Sequence, residues 1–218
     1  MNIKKTADLL LNFAIKRLAE IFGIIVLLAG AILFLALITY SPNDPNFIFP
    51  QNTKIENLMG FYGSFVSDLL FQSVGLIAYL ISFTLIFTGI NIFKTKDFFL
   101  FIENNFFIIL YLIFGTLFFS YYYSDTYSIY INGNSGFVGE YLNQTFIKSI
   151  ISINDKVSFY ILILITIFLF FISINFNLKN FFKFIKKTLS LLNKKNIKNY
   201  TDKSEIINEY IPQDEIKN

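Results

Sequence analysis

The residues best suited to chemistry are five acidic side chains that lie between long apolar stretches: Asp44, Asp68, Asp125, Glu140 and Asp155. Carboxylates bind divalent cations or act as general acids and bases when several of them converge on one point. Here at least 15 positions separate each acid from the next, so the spacing predicts no tight cluster. We interpret the five acids as solvated loop charges and predict neither a catalytic residue nor a metal ligand.

Two further residue types that often carry reactions are missing from the sequence. It contains no Cys and no His, which excludes thiolate nucleophiles, Cys/His zinc sites and imidazole acid–base chemistry. A phosphate-binding loop requires the pattern Gly-x-x-x-x-Gly-Lys-Ser/Thr, and no Gly is followed by Lys anywhere in the chain. We therefore expect that this chain is not an enzyme and holds no cofactor.

The elements that would position these residues are membrane spans. The chain is 55% hydrophobic and 15% charged, whereas soluble proteins carry about a quarter charged residues. Four windows of at least 21 residues contain no Asp, Glu, Lys or Arg: Ile21–Asn43, Leu69–Phe93, Asn104–Ser124 and Val157–Leu178. About 20 helical residues cross the hydrocarbon core. This pattern predicts an all-α membrane protein with four transmembrane helices, at about 21–40, 69–93, 105–123 and 157–175.

The distribution of positive charge predicts the orientation. Of the 18 Lys and Arg residues, only Lys54, Lys148 and Lys156 lie on one side of the predicted spans. The other 15 precede the first span, follow the last one, or lie between the second and third. Because Lys and Arg accumulate on the cytoplasmic side, both termini are predicted in the cytoplasm, with external loops at about 41–68 and 124–156.

The flanking segments have patterns of their own. Residues 1–20 are predicted to form an amphipathic helix in the membrane surface, and residues 179–199 a basic juxtamembrane helix with an apolar face. Residues 200–218 are polar, which is typical of a disordered tail or the start of a linker. DNA binding is an alternative for the lysine cluster at 179–199. Anchoring to anionic lipid explains the same charges, so we expect no direct nucleic-acid binding.

The two predicted external loops share a weak pattern. Gly60 and Gly63 in the first loop, and Gly133 and Gly136 in the second, are each followed by Phe-Val, an acid and a Leu. The first loop also opens with the helix-stopping turn Ser41–Pro45, which contains two prolines. We hypothesise two tandem hairpins, each consisting of a span, a loop with an in-plane helix and a second span.

We expect structural roles for the loop residues. Asp44 would brace the proline-rich turn, and Gly60 and Gly63 would allow a tight bend. Asp68 would face the positive N-terminal end of the second span. Small residues in the first two spans would let helices pack closely, either within the chain or between subunits: Gly23, Ala29, Gly30, Ala31, Ala36, Gly75 and Gly89.

From Tyr40 onwards the sequence resembles the N-terminal four-transmembrane domain of the FtsK/SpoIIIE family of bacterial DNA translocases. The residues that carry the resemblance are Tyr40, Ser41, Pro42, Asn43, Asp44, Pro45, Asn46, Phe47, Asn57, Gly60, Gly63, Ser64, Asp68, Leu69, Phe71, Gly75, Ala78 and Tyr79. Thr39 and Asn46 stand where the family often has Ser. The detailed resemblance covers residues 22–80, and the number of spans extends it to about 178.

The resemblance implies a membrane-anchoring, septum-targeting module that acts in cell division and chromosome segregation. It implies a multi-pass protein of the bacterial inner membrane, located at the septum, in contact with lipid and with other division-septum membrane proteins. A homo-oligomer is also compatible with it, because the family motor is hexameric. The family's motor and DNA-reading domains have no counterpart in this chain, so we expect a separate or truncated membrane domain, or the front of a longer protein.

The alternative is a small four-span transporter or channel subunit. Such proteins usually carry ionisable groups within the membrane, and all four charge-free windows lack Asp, Glu, Lys and Arg.

Overall fold

The apolar windows of the sequence fold into helices that satisfy their own backbone hydrogen bonds, as a bilayer requires. The computed structural model describes residues 3–45, 54–123 and 133–177, with Lys183, Lys186 and Lys187. No strand occurs among these residues. The helices are α1 (Ile3–Ile38), α2 (Gly60–Val74), α3 (Ala78–Thr95), α4 (Phe99–Tyr122), α5 (Gly136–Asn143), α6 (Ile147–Ile151) and α7 (Asp155–Ser173), and a 3₁₀ turn (Gly75–Ile77) joins α2 to α3.

Four helical stretches are long and apolar enough to cross a membrane: Ala7–Ile38, Gly60–Thr95, Phe99–Tyr122 and Asp155–Ser173. The predicted all-α class with four transmembrane helices is therefore confirmed. Two ends of the bundle can be distinguished. We call the end that carries α2, α5 and α6 the loop end, and it corresponds to the predicted external side. The other end, at which α3 finishes and α4 begins, is the hairpin-joint end.

The second stretch is not one straight helix. Gly75 has φ = 61° and ψ = −143°, a conformation that glycine tolerates best, and it ends α2 before α3 begins at Ala78. The expected span at 69–93 therefore runs across a break. Only α3 packs extensively along α1, and its 18 residues rise about 27 Å, close to the hydrocarbon thickness of ~30 Å. Residues 69–77 are as apolar as those that follow, so hydropathy alone does not reveal the break.

The helices pack as two hairpins, α1 with α3 and α4 with α7. Glycines bring α1 and α3 into backbone contact. A Cβ added to Gly89 would lie 2.4 Å from the Leu27 nitrogen, and one added to Gly23 would lie 2.7 Å from the Phe93 nitrogen. Gly30 likewise meets the backbone of α3. The sequence left open whether these small residues pack within the chain or between subunits, and these three glycines pack within it.

The N-terminal segment continues α1 without interruption. The helix has 36 residues and rises about 54 Å, well beyond the ~30 Å of a hydrocarbon core. The placement of residues 1–20 in the membrane plane, and the orientation with both termini inside, stay predictions. The predictions for residues 179–199 and 200–218 concern residues outside those described, apart from the three lysines named above.

The two hairpins share the order of span, loop-end helix and span, as the repeat hypothesis expects. Their helix starts differ, however. Helix α2 begins at Gly60, the first glycine of its pair, whereas α5 begins at Gly136, the second glycine of its pair. The internal repeat stays a prediction.

Candidate functional site

The carboxyl end of α1 is where most of the motif residues meet. The last carbonyls of a helix have no partner within it, and unpaired backbone groups are costly near hydrocarbon. Here the Asn57 side-chain amide donates to the Ala36 carbonyl at 2.9 Å. The Tyr79 hydroxyl donates to the Leu37 carbonyl at 3.3 Å. The loop and α3 thus supply the hydrogen bonds that α1 lacks at its end.

Asp44 closes the loop that follows α1. One carboxylate oxygen accepts the backbone N–H of Glu56 at 2.8 Å, and the other accepts that of Asn57 at 3.0 Å. The Asp44 N–H donates to the Ser41 carbonyl at 3.2 Å, which closes a turn around Pro42. The Asp44 side chain is buried, so its interpretation as a solvated loop charge is wrong. Asp44 joins two segments of chain that are 12 positions apart, which is the bracing geometry expected for this residue.

Gly60 and Gly63 allow α2 to start directly beside Asn57. The Asn57 side-chain oxygen accepts the Met59 N–H at 3.0 Å, and its backbone carbonyl accepts the Gly60 N–H at 2.9 Å. Gly60 has φ = 67°, a conformation that glycine adopts most readily. A Cβ on Gly63 would lie 2.5 Å from the Asn57 side-chain oxygen. A larger residue at position 63 would therefore displace the amide that pairs with α1.

Ser64 and Pro45 add a further link between the turn and α2, because the Ser64 hydroxyl donates to the Pro45 carbonyl at 3.3 Å.

Asp68 lies in the middle of α2, so its expected place at the N-terminal end of a helix is wrong. The helix starts eight residues earlier, at Gly60, because the glycine turn after Asn57 begins it there. The partner of Asp68 is instead Tyr40, whose hydroxyl donates to the carboxylate at 3.0 Å. The Asp68 side chain is 9% exposed. It therefore links α2 to the chain that leaves α1.

An apolar core lies beneath these hydrogen bonds. Leu37, Phe71, Val74 and Ala78 form one buried cluster, in which Phe71 and Ala78 are fully buried. The Phe71 ring meets the Tyr40 ring edge-on at 5.0 Å between centroids and the Tyr79 ring at 5.5 Å. Such aromatic pairs contribute about 0.5–1.5 kcal/mol beyond the burial of their area. The motif thus supplies both the core and the polar cap of the α1 end.

Gly75 contacts the second hairpin. The Leu76 N–H donates to the Asn134 carbonyl at 3.0 Å, and a Cβ on Gly75 would lie 2.0 Å from that same oxygen. In return, a Cβ on Gly136, where φ is 65°, would lie 2.6 Å from the Ser73 carbonyl. We call this contact, between residues 73–76 and 134–136, the glycine crossing. It is a backbone-to-backbone contact that leaves no room for a side chain on either glycine.

The motif residues form a structural assembly. Ten of the eleven predicted site residues surround the α1 end: Ser41, Pro42, Asp44, Pro45, Asn57, Gly60, Gly63, Asp68, Ala78 and Tyr79. The eleventh, Gly75, forms the glycine crossing. The partners shown for Asp44 and Asp68 are N–H and O–H groups. Within residues 3–45, 54–123 and 133–177, no three His, Cys, Asp or Glu side chains come together as a metal site would require.

Sequence reasoning missed a second group of polar residues, between the spans. Thr84 bonds to the Tyr111 hydroxyl at 3.2 Å and to the Ser173 hydroxyl at 3.0 Å. Nearer the hairpin-joint end, the Asn104 amide donates to Thr88 at 2.8 Å. We call these contacts, with the bond between Asn175 and Asn104 (3.2 Å), the polar seam. They join α3 of the first hairpin to α4 and α7 of the second.

The signal for the polar seam was present in the sequence. Thr84, Thr88 and Asn91 follow one another at helical spacing in an otherwise apolar window, which places them on one face. Asn91 also reaches the second hairpin, because its amide donates to the Ile174 carbonyl at 3.2 Å.

An ion pair at the hairpin-joint end was also missed. Lys96 contacts Glu20 at 2.7 Å, and Arg17 contacts the other oxygen of the same carboxylate. Lys96 ends α3 in the left-handed conformation, with φ = 62°. The pair ties α1 to the end of α3 on the side predicted to be cytoplasmic.

Four helical stretches that can cross a membrane pack as two hairpins, and the motif residues form hydrogen bonds at the α1 end. These features define a multi-pass membrane domain. The chain matches the family described as the 4TM region of DNA translocase FtsK/SpoIIIE over residues 15–186, and it belongs to that family.

Curated relatives match a part of the chain. It is 37% identical over 83 residues to the DNA translocase FtsK of Vibrio vulnificus, covering 38% of this chain and 8% of the relative. It is 38% identical over 73 residues to the DNA translocase FtsK of Caulobacter vibrioides, covering 34% of this chain and 9% of the relative. The aligned part is thus about a tenth of these relatives' length. No solved structure matches the chain significantly.

Proposed function

We propose that this chain is the membrane-anchoring and septum-targeting domain of a DNA translocase that acts in cell division and chromosome segregation. The observation that carries the proposal is the family match, which runs from within α1 to beyond α7 and so includes all four spans. In this proposal the chain itself performs no ATP hydrolysis, and it matches only the membrane region of the family.

The structure suits a rigid anchor. Two hairpins hold each other through the glycine crossing at one end and the polar seam toward the other. The carbonyls at the end of α1 are paired by the loop and by α3, so this end is fixed where a free helix end would fray. An anchor of this kind holds an attached assembly at the membrane and transmits load across four helices.

The proposed location is the bacterial inner membrane at the division septum. The proposed partners are the bilayer, other division-septum membrane proteins and further copies of the chain. The support is the family membership together with the excess of Lys and Arg on the predicted cytoplasmic side.

The transporter or channel alternative has less support. Transport sites usually need groups that can bind and release a solute or proton. The polar side chains of the seam bond to one another across helices. This arrangement favours a role in packing the hairpins over a role in a transport pathway.

Fluorescence imaging of a C-terminal fusion in dividing bacterial cells tests the proposal. A band at mid-cell is expected for the unchanged chain. Gly75→Val would disrupt the glycine crossing and should weaken the band, whereas Glu103→Gln, on an exposed face of α4, should leave it unchanged. A uniform ring around the whole membrane, at confirmed expression, would contradict septal targeting while leaving the anchoring role intact.

A further inference from the structure

A groove of about 490 Å³ opens between α1, α2 and α3. Ala29 and Ala36 of α1 and Leu85 of α3 are among the residues that line it. Ala29 is nine residues from the end of α1, which corresponds to about 14 Å along the helix. Leu85 is seven residues into α3, or about 10 Å. The groove therefore occupies the half of the membrane nearest the loop end.

The groove is apolar and opens onto the bilayer. Ile32 of α1 and Val66 of α2 line it, and both are exposed. Ile32 is 53% exposed and lies between Leu28 and Leu35 on the lipid-facing side of α1, both also exposed. The groove is thus continuous with the surface through which this membrane protein contacts lipid.

Helix α2 bounds the groove toward the loop end. Tyr62 of this helix lies at the mouth of the groove and is 80% exposed. Tyrosine is enriched at the membrane–water boundary, where its ring contacts apolar groups and its hydroxyl meets water and headgroups. The groove therefore has an apolar interior and, at its headgroup end, one amphipathic side chain.

We propose that this groove binds an acyl chain of a phospholipid from the leaflet at the loop end. A spanning partner helix needs about 20 residues over ~30 Å and is about 10 Å wide. The groove is only about half that length, and α2 closes it toward the loop end. An acyl chain is narrow and flexible, enters sideways from the bilayer and leaves its headgroup beside Tyr62. The site is independent of septal targeting, because it requires only the membrane.

Photo-crosslinking in reconstituted vesicles tests this site. The full chain is reconstituted in phosphatidylethanolamine and phosphatidylglycerol with a trace of phospholipid carrying a diazirine on one acyl chain. Peptide mass spectrometry then locates the label. We expect Ile32, Met59 and Val66 to be labelled more strongly than Ile25 and Leu164, which are similarly exposed to lipid outside the groove.

A side chain that fills the groove should remove the stronger labelling of the groove residues. Ala29→Phe places a ring in the groove from an exposed position and should lower groove labelling about tenfold, or ~1.4 kcal/mol of binding free energy. Leu28→Phe, one position along the same helix and outside the groove, is the matched control and should not change it. If circular dichroism shows that Ala29→Phe is unfolded, Val66→Phe fills the groove from α2.

Two results would overturn the proposal. Equal labelling inside and outside the groove, unaffected by Ala29→Phe, would show ordinary contact with bulk lipid. Crosslinks from groove residues to a second copy of the chain, in place of lipid, would show a subunit interface.

Discussion

At the scale of the residue, the motif supplies the hydrogen bonds that the end of α1 needs. Asn57 is the central residue, because its amide donates to α1, its oxygen accepts from the start of α2, and its own N–H is bonded to Asp44. Asp44 in turn is buried and bonded to two backbone N–H groups. A short polar motif at the end of a span is thus explained by the carbonyls and N–H groups that it pairs.

Replacing Asp44 by Ala should destabilise the domain. The change removes the acceptor of the Glu56 and Asn57 N–H groups. Asn57 is buried, and a buried unpaired group costs about 1–3 kcal/mol. Thermal unfolding followed by circular dichroism in detergent should show a clear fall in stability. Asp44→Asn retains one acceptor oxygen and should lower the stability less than Asp44→Ala. The exposed Glu103→Ala serves as a control, and equal effects of Asp44→Ala and Glu103→Ala would contradict the bracing role.

Two glycines with positive φ should respond differently to alanine. Gly60 and Gly75 both have positive φ, which costs a residue with a Cβ roughly 1–2 kcal/mol. A Cβ on Gly60 meets no atom within 4 Å, whereas one on Gly75 would overlap the Asn134 oxygen at 2.0 Å. Gly75→Ala should therefore lower the unfolding temperature much more than Gly60→Ala. Gly136→Ala should resemble Gly75→Ala, and equal losses at positions 60 and 75 would exclude a tight glycine crossing.

At the scale of the element, the sequence predicted the spans well and the internal joint of the second stretch poorly. The charge-free windows locate α1, α4 and α7, because a charge within hydrocarbon is costly. The break at Gly75 was missed because the residues on both sides are apolar, and the turn is bonded to Asn134, which is distant in the sequence. The motif residues of the α1 end were singled out through the family resemblance, whereas the pairing of Asp68 with Tyr40 depends on where α2 starts.

The polar seam should couple the two hairpins energetically. Polar contacts between membrane helices contribute about 0.6 kcal/mol on average and up to about 1.7 kcal/mol. A double-mutant cycle of Thr88→Val and Asn104→Leu should give a coupling in that range, measured as the free energy of unfolding in micelles. Thr95→Val with Asn104→Leu is the matched control, because the Thr95 hydroxyl donates to a carbonyl of its own helix. A coupling free energy of zero between Thr88→Val and Asn104→Leu would show that the polar seam does not couple the two hairpins.

At the scale of the whole molecule, the two ends of the bundle differ in kind. The loop end carries the motif, α2, α5 and α6, while the hairpin-joint end carries the ion pair of Glu20 with Lys96 and Arg17. Four crossings, an even number, predict that both termini lie on one side of the membrane. The excess of Lys and Arg predicts that this side is the cytoplasm.

Single-cysteine labelling tests the predicted orientation, because the native chain has no Cys. Ser152→Cys is exposed near the start of α7. It should react with a membrane-impermeant maleimide that is added to the external side of the inner membrane. Thr95→Cys, exposed at the end of α3, should react only after the membrane is permeabilised. The opposite order of reactivity would reverse the assignment of the two termini.

The packing of the two hairpins has a consequence for biosynthesis. Each hairpin is made of neighbouring parts of the chain, α1 with α3 and α4 with α7, so each can leave the insertion machinery as a pair as soon as it has been translated. The turn at Gly75 is then made about 60 residues before its partner at Asn134. The Leu76 N–H can therefore bond to the Asn134 carbonyl only after the second hairpin has been synthesised. Docking of one hairpin onto the other therefore follows the synthesis of both, and it depends on uncharged residues, the backbone contact at Gly75 and Gly136 and the polar seam.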